Sequence, residues 1–327
     1  MKAVYFAPHK GLASKNITID RPKKTEVKIK LKTAGLNRRD LFVIHDPANQ
    51  TKEFIPGSDG AGIIESLGSE VTNFDIGDEV IINPSLFWKS AKDIPEVPQI
   101  LGYPIDGTFA ETIIVPEENV IHKPTYLTWE EAGALALSAL TAFRALFTKG
   151  NLQSDHHLLI PGIGSGVATY ALLFAKAIGA KVTVTSRDKN KLKKAKELGA
   201  DQLLTTGDDW SKKLRDQKVD LILDSIGSAT FPKYFEVLKP NGTIVNFGQS
   251  SGSSIDLSLK ELFFSQFNLL GTSMGSKEEF EQMIQFVSQH EIHPIIDQIF
   301  PLSDYQIALN RMKNGLQFGN IVLDINL

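Results

Sequence analysis

The chain has 327 residues, of which 42% are apolar, and its 35 basic and 38 acidic side chains leave a formal net charge of -3. This length exceeds that of a usual single domain, so we expect two domains with ordinary buried cores. The near-neutral charge argues against nucleic-acid and membrane partners, and no apolar run reaches the roughly 18 residues that a membrane span needs. The start, MKAVYFAPHKG, lacks the apolar core and cleavage site of a signal peptide, so a cytoplasmic location is expected.

Cysteine is absent from the chain, and its seven histidines are scattered. The absence of cysteine excludes disulfides, thiolate nucleophiles and every zinc site that contains Cys. His156 and His157 are adjacent at a predicted strand start, where neighbouring side chains point to opposite faces and cannot easily share one ion. We therefore predict no metal site.

The first 125 residues are rich in short segments typical of β-strands. In the segment Val27 to Lys32, apolar residues alternate with lysines, which is the pattern of a half-buried strand. Glycine, proline and asparagine interrupt these segments often, which favours an antiparallel sheet or a distorted barrel over a parallel sheet. The next segment, Thr128 to Phe147, reads as one long helix with a capping box formed by Thr128 and Glu131.

From His156 onward, strand patterns alternate with helix patterns. Six strands separated by helices predict an α/β domain with a doubly wound parallel sheet. After Ser276 the sequence returns to a helix, a strand, a second helix and a last strand, NIVLDI. The predicted organisation is a β-rich domain at 1–125, a nucleotide-binding domain at 126–275, and a return to the first domain at 276–327.

The stretch PGIGSGVATYALLFAKAIGA, residues 161–180, carries the first chemical signal. Neither register of GxGxxG is complete, because the last position falls on Val167 or on Thr169. A strand precedes this loop, a helix and a second strand follow it, and small residues at 165 and 168 still allow close approach of the backbone to a pyrophosphate. The sequence therefore predicts a dinucleotide site whose loop residues are Gly162, Gly164, Ser165, Gly166 and Val167.

The end of the second strand indicates which dinucleotide is bound. NAD-binding folds usually place an acid there, whereas this chain has Ser186 followed by Arg187. A hydroxyl and a guanidinium suit the 2′-phosphate of NADPH, and Lys191 adds positive charge. Asp188 leaves the alternative of a carboxylate that holds the ribose of NADH. We expect NADPH.

Ten segments in order together resemble the medium-chain dehydrogenase/reductase superfamily, and within it the zinc-independent quinone oxidoreductase-like branch. They are AGLNRRDLFV, PGSDGAGIIESLG, FDIGDEVI, DGTFAETIIVP, EEAGALALSALTAFRAL, GIGSGVATYALLFAKAIGAKV, KAKELGAD, LILDSIGS, LKPNGTIVNFG and GNIVLDI. The resemblance covers the whole chain. It implies a GroES-like β-rich catalytic domain, a Rossmann domain with six parallel strands, and a homodimer that forms at the strand FNLLGTS.

The resemblance also bears on the catalytic residues. Zinc-containing relatives carry a cysteine at the position of Asn37, His-Glu at Ser58 and Asp59, and a third ligand near Leu137, so the resemblance implies that no tetrahedral zinc site forms here. What remains is hydride transfer to a metal-independent acceptor, a quinone or an α,β-unsaturated carbonyl compound. Asn37 is the candidate for the nicotinamide or substrate pocket, with an asparagine that merely holds a turn as the alternative. Asp40 is expected to cap or brace the same loop.

One substitution affects the acceptor side of the predicted site. Phe42 stands where many members of the branch have a tyrosine, and a phenyl ring cannot donate a hydrogen bond to an enolate oxygen. His45, Tyr103 or an ordered water are the alternatives for that role. Asn37, Phe42 and His45 are thus the catalytic candidates, and Phe87 and Trp88 either line the substrate wall or pack beneath their loop.

For the nicotinamide half of the cofactor, the resemblance implies contacts with two further loops and one helix. The residues concerned are Thr141, Phe247, Gly248, Gly271, Thr272 and Ser273. A methyltransferase would need an acid after the second strand and would leave the β-rich third unexplained, and a zinc alcohol dehydrogenase would lack its ligands. The serious alternative is a protein that binds NADPH as a sensor or structural partner, with little turnover.

Overall fold

The structure is a computed structural model that describes residues 1–46 and 52–327. Two compact units are present: unit 1 comprises residues 1–140 and 275–327, and unit 2 comprises residues 141–274. The sequence-based domain boundaries lie after residues 125 and 275. No helix in the described ranges is long and apolar enough to cross a membrane.

The elements are numbered in chain order. The strands are β1 Lys2–Ala7, β2 Gly11–Asn16, β3 Glu26–Leu36, β4 Asp59–Leu67, β5 Glu79–Ile82, β6 Ser85–Leu86, β7 Gln99–Leu101, β8 Pro104–Ile105, β9 Thr112–Pro116, β10 Val120–His122, β11 His157–Ile160, β12 Lys181–Ser186, β13 Gln202–Thr205, β14 Val219–Asp224, β15 Leu238–Asn246, β16 Asn268–Gly271, β17 Ile296–Pro301 and β18 Asn320–Asp324. The helices are α1 Arg38–His45, α2 Trp129–Gly133, α3 Ala136–Phe143, α4 Gly166–Ala177, α5 Lys189–Glu197, α6 Trp210–Lys213, α7 Tyr234–Val237, α8 Leu259–Ser265, α9 Lys277–Gln289 and α10 Tyr305–Lys313.

Unit 1 is built on a seven-stranded sheet in the order β10-β5-β4-β3-β18-β17, with β9 also paired to β3. All of its pairs are antiparallel except β17 with β18. Val27, Ile29 and Leu31 are almost fully buried, and they pack with the apolar residues of β4, β5 and β9 in one core cluster. The predicted antiparallel, half-buried sheet is therefore confirmed.

Unit 2 contains a six-stranded parallel sheet in the order β13-β12-β11-β14-β15-β16. This order is the 3-2-1-4-5-6 arrangement of a Rossmann fold, as the alternation of strand and helix patterns predicts. Because all six strands run in one direction, the loops that follow them lie at the same edge of the sheet. Ligands of such sheets bind at this edge.

The single helix predicted over Thr128 to Phe147 is wrong in its continuity. The capping box of Thr128 and Glu131 is present, but α2 ends at Gly133. Thr33 Oγ1 donates to the carbonyl oxygen of Trp129 at 2.6 Å, which competes for the acceptor that the fourth residue on would normally use. The chain then tightens into bonds that span three residues, α3 follows, and Arg144 to Lys149 form a π-helical turn.

The segment around Asn37 also differs from the expectation of a loop. Residues 38–45 form α1, and Asn37 is the residue immediately before it. The Asn37 backbone N–H donates to Asp40 Oδ2 at 2.7 Å, so Asp40 caps the start of this helix, which is the first of the two roles expected for it. Asn37 therefore has a fixed backbone position at the start of α1.

Candidate active site

A buried chain of hydrogen bonds in unit 1 connects Ser138, Asn37 and Asp59. Ser138 Oγ donates to Asn37 Oδ1 at 3.1 Å, and Asn37 Nδ2 donates to Asp59 Oδ2 at 2.8 Å. The backbone N–H of Leu137 donates to the other carboxylate oxygen, Asp59 Oδ1, at 2.7 Å. The three side chains are at most 4% exposed. Both oxygens of Asp59 are therefore occupied by donors within the unit.

Strand pairing explains why these residues meet. Gly35 of β3, which lies two residues before Asn37 in the chain, pairs with Asp59, the first residue of β4. A side chain at Gly35 would clash with the carbonyl oxygen of Gly133, because an ideal Cβ there would lie only 2.6 Å from it. The glycine thus allows the segment from α2 to α3 to approach the sheet closely enough for Leu137 and Ser138 to reach the polar cluster.

Arg39 holds the neighbouring loop in place. Its Nη2 donates to the carbonyl oxygen of Tyr103 at 2.6 Å, and its Nη1 donates to that of Leu101 at 3.3 Å. Ser58 Oγ donates to the same Leu101 oxygen at 2.8 Å. The hydroxyl proton of Ser58 is therefore used in a hydrogen bond to the backbone.

Burial dominates the electrostatics of the two acids in this cluster. Desolvation raises the pKa of Asp59 to about 7, although the hydrogen bonds from Asn37 and Leu137 oppose the rise and the charge of Asp40 adds to it. Desolvation also raises the pKa of Asp40 to about 6, against the effects of the Asn37 N–H and the Arg39 charge. Asp59 therefore exchanges a proton near neutral pH, which is unusual for an aspartate.

The donor set at these positions does not fit a catalytic zinc ion. Asn37, Ser58, Asp59 and Leu137 supply an amide, a hydroxyl, one carboxylate and an aliphatic chain, whereas catalytic zinc takes three ligands drawn from Cys, His and carboxylates. The three polar groups are used in the hydrogen bonds given above. Nowhere in residues 1–46 and 52–327 do three acidic or histidine side chains form a cluster that could hold a metal.

The other catalytic candidates lie apart from this chain of hydrogen bonds. Phe42 is 57% exposed on α1, with the Arg38 guanidinium 5.9 Å from its ring centre. His45 is exposed in the last turn, and its Nδ1 lies 2.7 Å from the carbonyl oxygen of Leu41. Neither side chain joins the Asn37 cluster, and the roles expected for them stay predictions.

Two further aromatic candidates differ in burial. Phe87 is 58% exposed, whereas Trp88 is buried and donates its indole N–H to the carbonyl oxygen of Ser90 at 2.8 Å. Trp88 thus packs beneath its own loop. The ring of Tyr103 packs edge-on against Phe54, with 5.1 Å between the ring centres.

Sequence reasoning missed Ser138. The residue follows Leu137, near which the resemblance implies the third zinc ligand of zinc-containing relatives, and it brings a hydroxyl into the apolar run ALALSALTAF. A polar residue in a buried helix segment needs a hydrogen-bond partner, so this serine within an apolar run could have been recognised from the sequence as part of a polar contact. The partner, Asn37, could not be identified because it lies 101 residues earlier in the chain.

In unit 2 the glycine loop has the backbone that a phosphate-binding turn needs. Gly162 and Gly164 have φ angles of +73° and +126°, a region that favours glycine. A Cβ at Gly164 would lie 2.9 Å from Lys191 Cδ and 3.3 Å from Lys191 Nζ, so the ammonium lies directly against the loop. Ser165 caps α4 by accepting a hydrogen bond from the N–H of Ala168 at 3.2 Å, and Gly166 and Val167 form the first turn. A dinucleotide pyrophosphate fits this helix start and its adjacent lysine.

The end of β12 is followed by a guanidinium side chain and by an acid that caps the next helix. Ser186 Oγ accepts from the N–H of Asp188 at 3.1 Å, and Asp188 Oδ1 accepts from the N–H of Asn190 at 2.8 Å. Asp188 is thus the N-cap of α5. Arg187 is exposed and forms no hydrogen bond or ion pair with any residue that the structure describes. The arginine is available to a ligand, while the acid has a structural partner.

The loops after β15 and β16 form the other part of this edge. Asn246 Nδ2 donates to Asp224 Oδ2 at 2.9 Å and to the carbonyl oxygen of Gly248 at 2.8 Å, which fixes the turn at Phe247. The backbone N–H of Thr272 donates to the backbone carbonyl oxygen of Asn246 at 2.9 Å. The buried hydroxyl of Thr272 has no partner among the described residues. The remaining candidates are Gly271 and Ser273, both exposed, and Thr141, which is buried in α3.

Comparisons with known proteins agree with both units. The family model of the alcohol dehydrogenase GroES-like domain matches residues 23–125, and that of zinc-binding dehydrogenases matches residues 166–289. A zinc-type alcohol dehydrogenase-like protein of Schizosaccharomyces pombe is 32% identical, covering 92% of this chain and 91% of the relative. Acryloyl-coenzyme A reductase of Sulfurisphaera tokodaii is 27% identical, covering 99% of each chain.

Solved structures show the same likeness. The crystal structure of an NAD-dependent alcohol dehydrogenase superposes with a TM-score of 0.90 at 30% identity, covering 99% of this chain and 100% of that chain. This chain therefore resembles these proteins in both of its domains and in sequence over nearly its full length. The chain belongs to the medium-chain dehydrogenase/reductase superfamily of zinc-type alcohol dehydrogenase-like oxidoreductases.

Proposed function

We propose that this oxidoreductase transfers a hydride from NADPH to a quinone or an α,β-unsaturated carbonyl compound without a catalytic metal. The observation that carries the proposal is the hydrogen bond between Asn37 and Asp59, two positions at which the resemblance implies zinc ligands in zinc-containing relatives, and its extension to Ser138. Zinc catalysis stabilises a developing alkoxide as a Lewis acid. An acceptor whose negative charge spreads over a conjugated system needs this help least.

The choice of NADPH is supported by residues of this chain. Arg187 is exposed beside Ser186, and Asp188 is engaged as a helix cap. A guanidinium can bind a phosphate through two parallel hydrogen bonds, and a nearby serine adds a neutral donor. The similar solved structure is named for NAD, so the preference proposed here rests on these three side chains alone.

The choice of acceptor is supported by one relative. Acryloyl-coenzyme A reductase, which matches the full length of this chain, is named for an α,β-unsaturated acyl group. Reduction of such a group adds a hydride at the β-carbon and leaves an enolate, whose oxygen needs a hydrogen-bond donor and whose α-carbon takes a proton. The protein contributes position and polarity to this step, while the nicotinamide supplies the hydride.

A panel of acceptors tests the proposal. The purified protein is assayed for oxidation of NADPH and NADH with quinones, enones and acyl-coenzyme A enoates. Simple aldehydes with the reduced cofactors, and simple alcohols with NADP⁺ and NAD⁺, serve as controls. We expect turnover of a conjugated acceptor with NADPH, unchanged after dialysis against a chelator. Activity confined to alcohols and aldehydes, or lost with the metal and restored by zinc, would contradict the proposal.

A second candidate function is favoured by the exposed phenyl ring of Phe42, which cannot donate a hydrogen bond to an acceptor oxygen. A protein that binds NADPH as a sensor would need no such donor. Tight binding of NADPH without turnover of any acceptor in the panel would support this candidate.

We further propose that the protein is a cytoplasmic homodimer in which a second copy covers the β16 edge. Strand β16 is the last of its sheet, so one side of its backbone pairs with no other strand of residues 1–46 and 52–327. The adjoining helix α8 buries no residue, and Leu259, Phe263 and Phe264 are each more than 60% exposed. An open strand beside apolar side chains can pair with its own copy, which buries both features.

A further inference from the structure

The hydrogen-bond chain of Ser138, Asn37 and Asp59 has a direction. When Asp59 is ionised, both of its oxygens accept, from Asn37 Nδ2 at 2.8 Å and from the Leu137 N–H at 2.7 Å. The amide oxygen of Asn37 then faces Ser138, whose hydroxyl must donate to it at 3.1 Å. A hydroxyl has one hydrogen, so in this state Ser138 can donate to nothing else.

Protonation of Asp59 reverses this order. The added proton is disfavoured on Oδ1, because that atom already accepts from the fixed backbone N–H of Leu137. On Oδ2 the proton faces Asn37, which can accept it only after its amide turns over and presents its oxygen. The Asn37 NH₂ group then faces Ser138 Oγ, which accepts. The hydrogen of the Ser138 hydroxyl is thereby released for another acceptor.

We propose that Asp59 and Asn37 form a proton-controlled switch that decides whether the Ser138 hydroxyl can donate a hydrogen bond to the acceptor oxygen. Asp59 and Asn37 are positioning residues that act through Ser138. The part that concerns the acceptor rests on the proposed function, whereas the reversal of the chain does not. The hydroxyl would supply the donor that the phenyl ring of Phe42 cannot.

Burial is the main cause of the raised pKa of Asp59, and the charges around it contribute less. Asp40 is the charged group that acts on Asp59 directly, and Arg39 acts in turn on Asp40. On α2, which packs against β4, Glu131 is bound to the N–H of Thr128 and to His293. With burial as the largest cause, the pKa of Asp59 is raised to about 7, so both forms are populated in a neutral cell.

Asp59→Asn provides a direct test, because an asparagine can fix the reversed order. Its oxygen can accept from the Leu137 N–H while its NH₂ group donates to the turned amide of Asn37. We expect kcat/KM of the wild type for an enone to fall about 10-fold between pH 6 and pH 8, as Asp59 ionises. The Asp59→Asn variant is expected to keep the rate of the acidic form at both pH values.

Two serine variants separate the switch from general damage to the fold. Ser138→Ala removes the hydroxyl and is expected to lower kcat/KM about 100-fold, as for loss of one donor to an oxyanion, with no step near pH 7. Ser85→Ala removes another buried hydroxyl of unit 1, one that has no partner among the described residues, and is expected to keep the wild-type profile. An Asp59→Asn variant that still shows the pH step would overturn the proposal.

A spectroscopic measurement tests the switch without any acceptor. In protein labelled with ¹⁵N-asparagine and ¹³C-aspartate, the side-chain amide of Asn37 and the carboxyl of Asp59 are followed from pH 5 to pH 9. We expect one common midpoint, and an Asn37 amide in Asp59→Asn that stays at the acidic position throughout. If the carboxyl signal of Asp59 titrates while the amide signal of Asn37 does not change with pH, the proposed switch is wrong. A common midpoint in a protein that reduces no acceptor would overturn the proposed function and leave the switch standing.

Discussion

The preference proposed for NADPH depends most on Arg187. This arginine follows Ser186 at the carboxyl end of β12, and it is exposed with no partner among the described residues. We predict that Arg187→Glu raises the Kd of NADPH about 10- to 100-fold, because a charge-assisted hydrogen bond is worth about 1.5 to 3 kcal/mol and the new carboxylate repels the 2′-phosphate. The Kd of NADH, which lacks this phosphate, should stay within about twofold. Fluorescence titration of both cofactors measures the two constants.

Lys193→Glu is the matched control for this prediction. Lys193 is exposed on α5, and its replacement makes the same change in net charge close to the cofactor edge. If both variants weaken NADPH equally, the effect of Arg187→Glu is one of overall charge, and the assignment of Arg187 to the 2′-phosphate is wrong.

At the level of single residues, the sequence indicated those whose role depends on a local pattern. Gly164 and Lys191 belong to one strand-helix-strand unit, and its spacing is enough to predict that both contact a dinucleotide. The partners of Asn37 depend on contacts between distant parts of the chain, since Asp59 is 22 and Ser138 is 101 residues away. No periodicity encodes such a meeting, so the polar chain became visible only in the fold.

The edge strand β16 is the element that should control assembly. We predict that Leu269→Lys converts a dimer of about twice 36.0 kDa into a monomer, because a lysine on an open strand prevents edge-to-edge pairing. Leu269 is 41% exposed on that strand. Sedimentation velocity of the two proteins at equal concentration measures the change.

Leu316→Lys is the control for this element. Leu316 is exposed to a greater extent, at 58%, but it belongs to unit 1 and to no strand. The control should sediment like the wild type. A wild type that is monomeric at micromolar concentration, or a Leu269→Lys variant that stays dimeric, would refute the assembly proposed here.

Elements with a regular pattern were predictable, and those shaped by contacts with other elements were not. The six parallel strands were identified because each is a short apolar run between helix patterns. The helix predicted over residues 128–147 is interrupted because Thr33, about 100 positions earlier, bonds to the Trp129 carbonyl and packs against Gly133. Local helix propensity contains no information on that contact.

On the scale of the whole molecule, the two units carry buried titratable groups with opposite effects on stability. In unit 1, burial raises the pKa of Asp59 to about 7 and that of Asp40 to about 6. In unit 2, burial and the charge of Lys181 lower the pKa of His157 to about 4. His157 is held between the carbonyl oxygen of Gln217, 3.0 Å from Nδ1, and Thr183 Oγ1, 2.7 Å from Nε2, so a neutral ring with its proton on Nδ1 can donate to the carbonyl and accept from the threonine.

The sign of each effect follows from proton linkage. Between about pH 4 and pH 7 folded unit 1 binds more protons at Asp59 and Asp40 than the unfolded chain, so its stability falls as the pH rises. Between about pH 4 and pH 6.5 unfolded unit 2 binds more protons at His157 than the folded unit, so its stability falls as the pH drops. Each unit of pKa difference corresponds to about 1.4 kcal/mol, enough for opposite slopes to be measurable.

Amide hydrogen exchange, corrected for the intrinsic dependence of exchange on pH, reads the two units separately in one sample. We predict that amides of β3 and β4 lose protection between pH 4.5 and pH 7.5, whereas amides of β11 and β12 gain protection over the same range. Asp59→Asn should make the first profile less steep without changing the second, and the slope that remains in unit 1 is due to Asp40. His157→Gln should flatten the second alone, because a glutamine can donate to Gln217 and accept from Thr183 without titrating. If protection in both units changes in the same direction with pH, the opposing roles assigned to these buried groups are wrong.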